Sequence, residues 1–237
     1  MSDTKIKEQI CEIGRRIYDR GMVASNDGNI SVRIDEDEIL CTPTGVSKGF
    51  MTPECICRID TKGNVLESSD GYRPSSEIKM HLRVYEKRKD VNAVVHTHAK
   101  YATSFAINGR PLNRPVTSEA VVMLGCVPLA PFATPSTVEV PDSIEPYLEN
   151  WDAVLLENHG ALTWSEDLLS AYMKMESLEY YAELLFKSEQ LGVPQEFSNE
   201  QIKKLVAVRH KMGLTGGYPA GKIRDNCYKC DKCFWKA

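Results

Sequence analysis

A short apolar run, Val91, Ala93, Val94 and Val95, leads directly into His96-Thr97-His98. The run reads as a buried β-strand ending at two histidines spaced by one residue. Side chains on a strand repeat every two residues, so both imidazoles project from the same face and can share one metal ion. Two edge histidines with unrelated duties is the bland alternative, and further ligands elsewhere in the chain would decide against it.

The 237 residues are enough for one large α/β domain. A hydrophobic fraction of 42% and a charged fraction of 26% are those of an ordinary globular chain. The net charge of -4 has no basic stripe behind it, so no nucleic-acid partner is expected. No apolar run reaches the ~18 residues of a membrane span and the start is too polar for a signal peptide, so a cytoplasmic protein with no membrane partner is expected. In that setting the eight cysteines read as thiols, with Cys11, Cys41, Cys55, Cys57 and Cys126 in apolar or strand-like segments.

Ile6, Ile10, Ile13 and Ile17 fall at helical spacing over 4–20, with Gly21 as C-terminal cap. Ser25-Asn26-Asp27-Gly28-Asn29 is a run of turn formers before a strand at 30–34, an acidic hairpin tip at 35–38 and a returning strand at 38–42. The kinked loop from Thr42 to Lys48 offers backbone N–H groups and hydroxyls to an anion. Strands are expected at 55–60 and 65–67. Arg73-Pro74-Ser75-Ser76-Glu77 then opens a helix carrying Ile78, His81, Leu82 and Tyr85. Free N–H groups and the positive end of the helix dipole point forward from Pro74 and the serines, although a plain capped helix explains this segment taken alone. His81 reads as a packing or surface residue.

Residues 100–107 are expected to be helical, 117–124 fit helix or strand equally, and 127–130 fit a short strand. A short helix is expected from Asp142 to Asn150. Trp151 to Leu156 reads as a buried strand ending in Glu157-Asn158-His159-Gly160. A long amphipathic helix over 166–190 puts Leu169, Tyr172, Met173, Leu178, Tyr181, Leu184 and Leu185 in the core. A last helix over 198–212 starts with a Ser198/Gln201 capping box. One domain is expected over 1–212. The tail, 213–237, carries Cys227, Cys230 and Cys233 at a spacing able to hold zinc or an iron–sulfur cluster, with no fourth ligand evident.

His96, His98 and His159 at strand ends and Glu77 at a helix start make a credible metal site of three histidines and a carboxylate. Gly28-Asn29, Thr44-Gly45 and Ser75-Ser76 can cradle a phosphate, with no large cation required if helix dipole and metal share its charge. Metal beside cradle implies a small phosphorylated substrate with a carbonyl.

Five ordered motifs, Gly28-Asn29-Ile30-Ser31, Thr42-Pro43-Thr44-Gly45, Pro74-Ser75-Ser76-Glu77, His96-Thr97-His98-Ala99 and Glu157-Asn158-His159-Gly160, resemble the class II aldolase/adducin family over roughly residues 5–212. The resemblance implies a three-layer α/β/α sandwich around a mostly antiparallel sheet, and a homotetramer with active sites between subunits. It implies Zn²⁺ on His96, His98 and His159 with Glu77 near the ion, although such a site accepts other divalent transition metals. It also implies phosphate contacts at Gly28, Asn29, Thr44, Gly45, Ser75 and Ser76. The activity implied is cleavage of a ketose 1-phosphate of the L-fuculose 1-phosphate type into dihydroxyacetone phosphate and a short aldehyde such as lactaldehyde. The metal stabilises an enediolate that Glu77 protonates. A tyrosine expected within Val116–Glu119 is missing, and Met212 stands where a second would align, which leaves Tyr218 as the candidate acid on the aldehyde side. Alternatives are an aldolase for 5-deoxyribulose 1-phosphate, a pentulose-phosphate 4-epimerase, a sugar-acid phosphate decarboxylase, and a non-catalytic adducin-like scaffold. Glu77, where epimerases tend to carry aspartate, favours the aldolase, and the complete ligand set disfavours the scaffold.

Overall fold

Side chains that alternate between two buried faces along the central strands build the molecule. The computed structural model describes residues 2–214; Tyr218, Cys227, Cys230 and Cys233 lie outside them. Eight strands form one sheet: β1 (Asn29–Arg33), β2 (Glu38–Cys41), β3 (Cys57–Asp60), β4 (Val65–Glu67), β5 (Ala93–Thr97), β6 (Leu129–Ala130), β7 (Ala153–Leu156) and β8 (Gly160–Ser165). Their spatial order is β4-β3-β2-β1-β5-β8-β7-β6. Every pairing is antiparallel except that of β6 with β7.

Ile30, Val32, Leu40, Ala93, Val95, Leu155 and Ala161 point into one core, where they meet α1 (Asp3–Asp19), α3 (Lys100–Ile107) and α5 (Leu168–Leu191). Ile39, Cys41, Ile59, Val94, Val154, Leu162 and Trp164 point the other way, onto α2 (Ile78–Lys87) and α4 (Glu139–Leu148). Ile202 of α6 (Asn199–Lys211) joins that second core. The period of two thus gives the sheet two apolar faces, and amphipathic helices cover both. This is the expected α/β/α sandwich. No helix among the described residues is long and apolar enough to cross a membrane.

Several local expectations need correction. The helix expected from Asp142 begins at Glu139, because Pro141 falls in its first turn, where its missing N–H costs nothing. The ambiguous segment 117–124 is a π-helical turn over Ala120–Leu124, closed by Gly125 N–H donating to the Ala120 carbonyl. The stripe on the long helix is rotated: Tyr172, Leu178, Tyr181 and Leu185 are buried, but Leu169 and Met173 are half exposed. That helix starts two residues later than expected, at Leu168, with the Asp167 carboxylate accepting from Ser170 N–H as its cap. The Ser198/Gln201 capping box is present, and Gly21 closes α1 with φ +66°. Cys41, Cys55, Cys57 and Cys126 are buried thiols and Cys11 is half-buried.

His81 is a packing residue. It is fully buried, and its Nδ1 lies 2.7 Å from Ser31 Oγ, which in turn lies 2.7 Å from the Tyr85 hydroxyl. Burial pulls its pKa down to about 3, outweighing the opposing pull of the Glu77 carboxylate. An unfolded histidine titrates near ~6.5, so between these values the unfolded chain takes up a proton that the fold refuses. The stabilisation is complete above that value and is lost as pH falls toward 3. Urea unfolding of the metal-free protein should therefore weaken from pH 6.5 to pH 5, and His81→Gln should make that decline shallower; an unchanged slope would show that His81 does not carry it.

Candidate metal centre

β5 lies between β1 and β8, and this arrangement assembles the site. Asn29 opens β1 directly opposite His96 in the ladder, and His96 is paired on its other side with Leu162 of β8. The tight turn joining β7 to β8 carries His159, and it requires Gly160. A Cβ on Gly160 would approach the His98 ring to 2.9 Å and the His96 ring to 3.2 Å. Asn158 takes the left-handed conformation (φ +58°) that turns the chain there. Glu77 stands at the N-cap position of α2, where the helix dipole favours a carboxylate.

The four groups meet. Among the described residues, Glu77, His96, His98 and His159 are the only set of three or more His, Cys, Asp or Glu residues gathered closely enough to hold a metal, with ligand atoms within 4.8 Å of one another. His96 Nε2 is 3.2 Å from His98 Nε2 and 3.5 Å from Glu77 Oε2, and His159 Nε2 is 3.1 Å from Glu77 Oε1. The three ring centroids stand 4.9–5.0 Å apart. A tetrahedral ion with ligands at ~2.0–2.1 Å has edges of about 3.3 Å, so these separations fit a dication at the centre.

Second contacts aim the ligands. His96 Nδ1 lies 2.9 Å from the Ala161 carbonyl, so Nδ1 carries the proton and the Nε2 lone pair faces inward. His98 Nδ1 lies 3.3 Å from Asp27 Oδ2, the carboxylate–histidine arrangement that fixes a ligand's tautomer. Asn29 Nδ2 donates to Glu77 Oε2 at 3.0 Å, while Asn29 Oδ1 is buried without a protein partner. In the sequence Asp27 reads as one more turn former. Its position two residues before Asn29 is the only signal.

Burial holds His96 well below the ordinary histidine pKa, and burial lowers His98 as well. Both imidazoles are therefore neutral at pH 7 and free to donate to a metal. Burial pushes the Glu77 carboxyl up, but attraction to His96, the hydrogen bond to His159 and the fields of His159 and His98 carry it below the usual carboxylate range. Neutral imidazoles attract a carboxylate less than imidazolium would. A cation at the centre would hold His96, His98 and Glu77 unprotonated together.

The cradle segments converge on the same edge. Pro43 bridges to Pro74, Thr44 N–H donates to the Arg73 carbonyl, and Ser75 N–H donates to the Thr42 carbonyl. The loops bearing Thr44-Gly45 and Ser75-Ser76 are therefore joined, and Gly28-Asn29 leads into the strand beside His96. The helix proper begins at Ile78, whose N–H is taken by the Ser75 carbonyl, and the Ser75 N–H is used as well, so this helix start has fewer open donors than expected. Ser76 is exposed and accepts a hydrogen bond from Ser136.

The Class II Aldolase and Adducin N-terminal domain model matches residues 8–186. The chain belongs to that family. It is 37% identical over 176 residues to an L-fuculose phosphate aldolase of Methanococcus maripaludis, covering 74% of this chain and 93% of the relative. It is 35% identical over 190 residues to a 3-oxo-tetronate 4-phosphate decarboxylase of Haemophilus influenzae, covering 78% of this chain and 89% of the relative. A solved L-fuculose 1-phosphate aldolase superposes with a TM-score of 0.79 at 30% identity, covering 86% of this chain and 96% of that one.

The orienting role of Asp27 is checked by chelator competition. His98→Ala should bind one equivalent of metal fewer per chain than the parent. Asp27→Ala should keep the equivalent and bind it about 10–100-fold more weakly; unaltered affinity in Asp27→Ala would remove Asp27 from the site.

Proposed function

We propose that the chain is a Zn²⁺-dependent class II aldolase that cleaves a ketose 1-phosphate of the L-fuculose 1-phosphate type into dihydroxyacetone phosphate and a short aldehyde. The observation that carries this reading is the convergence of three inward-facing imidazoles and a dipole-favoured carboxylate beside two joined hydroxyl-bearing loops. A divalent ion held by His96, His98, His159 and Glu77 supplies Lewis acidity toward the substrate's carbonyl and hydroxyl oxygens.

The protein's own groups do the rest. Gly28, Asn29, Thr44, Gly45, Ser75 and Ser76 bind the phosphate and so fix where the carbon skeleton lies. When the C3–C4 bond breaks, the electron pair remains on C3 of the dihydroxyacetone phosphate fragment. The C4 hydroxyl gives up its proton as it becomes the aldehyde carbonyl; Glu77, held by the Asn29 amide and largely sheltered from solvent, takes up a proton in exchange and delivers it to C3, and in synthesis it removes that proton. Tyr218 is the proposed acid on the aldehyde side, protonating the aldehyde oxygen in the synthetic direction. The working form is a cytoplasmic homotetramer with sites between subunits, built from a domain over 1–212 and an appended tail.

A second reading rests on the decarboxylase relative. Loss of CO₂ from a 3-oxo acid phosphate leaves a comparable carbanion beside the carbonyl, which the same ion and proton donor would serve. The test is product release from the zinc-loaded enzyme. L-fuculose 1-phosphate should yield dihydroxyacetone phosphate, and chelator should stop it. Glu77→Gln should lose about 10²–10⁴ in kcat while the protein still takes up metal. CO₂ from a 3-oxo-tetronate 4-phosphate with no ketose cleavage would replace the aldolase by the decarboxylase.

A further inference from the structure

Lys48 is 1% exposed, and its hydrogen bonds go to neutral groups: Nζ donates to the Asn26 carbonyl at 3.0 Å and to the Val46 carbonyl at 2.7 Å, while the Asp27 and Glu77 carboxylates act on its charge without a hydrogen bond. A buried ammonium normally pairs with a carboxylate, because desolvation is costly and carbonyl dipoles recover only part of it. The two carbonyls belong to different loops. Asn26 stands two residues before Gly28, and Val46 directly follows Gly45. Lys48 therefore ties together, from underneath, the two loops assigned to phosphate, and the third is joined to them through Ser75 N–H and the Thr42 carbonyl.

The surroundings keep the charge dry. Helix α1 crosses directly over the Lys48 main chain, and a Cβ on Gly14 would come within 2.8 Å of the Lys48 carbonyl. Burial pulls the Lys48 pKa down to about 8, with Asp27, Cys55 and Glu77 pulling the other way, so the group is still protonated at neutral pH. The segments 24–29 and 42–47 contain no other cation. Arg73 adjoins them but is exposed, where solvent screens it.

We propose that Lys48 is the electrostatic counterpart of the substrate's phosphate, holding the two loops in place while its buried charge favours a dianion bound across them. This inference rests on the sugar-phosphate reading above. It replaces the expectation that the cradle needs no side-chain cation. Lys48 acts on phosphate through the loops and through space, as a positioning residue, and takes no part in bond breaking.

Two substitutions separate charge from tethering. Lys48→Gln keeps a donor for the carbonyls and removes the charge, and Lys48→Met removes both. The readout is the dissociation constant of inorganic phosphate for the zinc-loaded full chain, by calorimetry, together with KM and kcat for the phosphorylated substrate. Both variants should weaken phosphate binding about tenfold or more, with KM rising and kcat changing less. In the unsubstituted chain the ¹⁵Nζ resonance of Lys48 should move on saturation with inorganic phosphate, a measurement that stands even where neither variant folds. A Lys48→Gln enzyme with parental phosphate affinity, or a Lys48 resonance unmoved at saturation, would reduce Lys48 to a structural tie. Loss of affinity in Arg73→Gln but not in Lys48→Gln would move the role to Arg73. Failure of the parent chain to bind phosphate at all would overturn the sugar-phosphate reading and this inference together.

Discussion

Crowding of donor atoms around a buried imidazole is the condition on which the rest of the structure depends. His96 has no exposed surface, yet its Nε2 faces another imidazole nitrogen and a carboxylate oxygen at hydrogen-bond distances. Lone pairs brought this close in a dry site repel unless protons or a cation lie between them, and burial opposes protonation of His96 and His98. The Ala161 carbonyl, the Asp27 carboxylate and the Asn29 amide each fix one ligand's direction, so the arrangement is held by the fold and does not wait for an ion to gather it.

The sheet explains why so many polar groups collect at one edge. Antiparallel pairing places the start of β1, the end of β5 and the turn from β7 to β8 side by side, as the Asn29–His96, His96–Leu162 and Leu156–Gly160 partners show. The end of β2 reaches the same edge because Cys41 pairs with Ser31, and the following loop is joined to the segment before α2. Segments far apart in sequence thus present ligands, hydroxyls and main-chain donors to one volume. The interior of the same strands belongs to two apolar cores, which leave polar side chains their place at the strand ends.

The metal set was legible because its signals are local. His96 and His98 follow from the period of two, His159 from a strand exit beside glycine, and Glu77 from a helix start, with the ordered motifs linking them. Asp27 and Lys48 were not legible in that way. An aspartate in a turn carries no local mark of the histidine it faces, and Lys48 is buried where α1 packs against its main chain, a contact between distant segments. The same distinction runs through the fold. Strand alternation located the sheet, whereas the exposed Leu169 and Met173 show that apolar residues at helical spacing do not by themselves fix which way the helix is rotated.

X-ray absorption at the metal edge of the zinc-loaded full-length chain addresses the central claim most directly, because the sequence also contains Cys227, Cys230 and Cys233. One zinc per chain in a nitrogen/oxygen shell at about 2.0–2.1 Å, with the outer scattering of three imidazoles, is the result this account predicts. A sulfur shell at about 2.3 Å, persisting when His96 and His98 are replaced, would place the ion on the cysteines and contradict it.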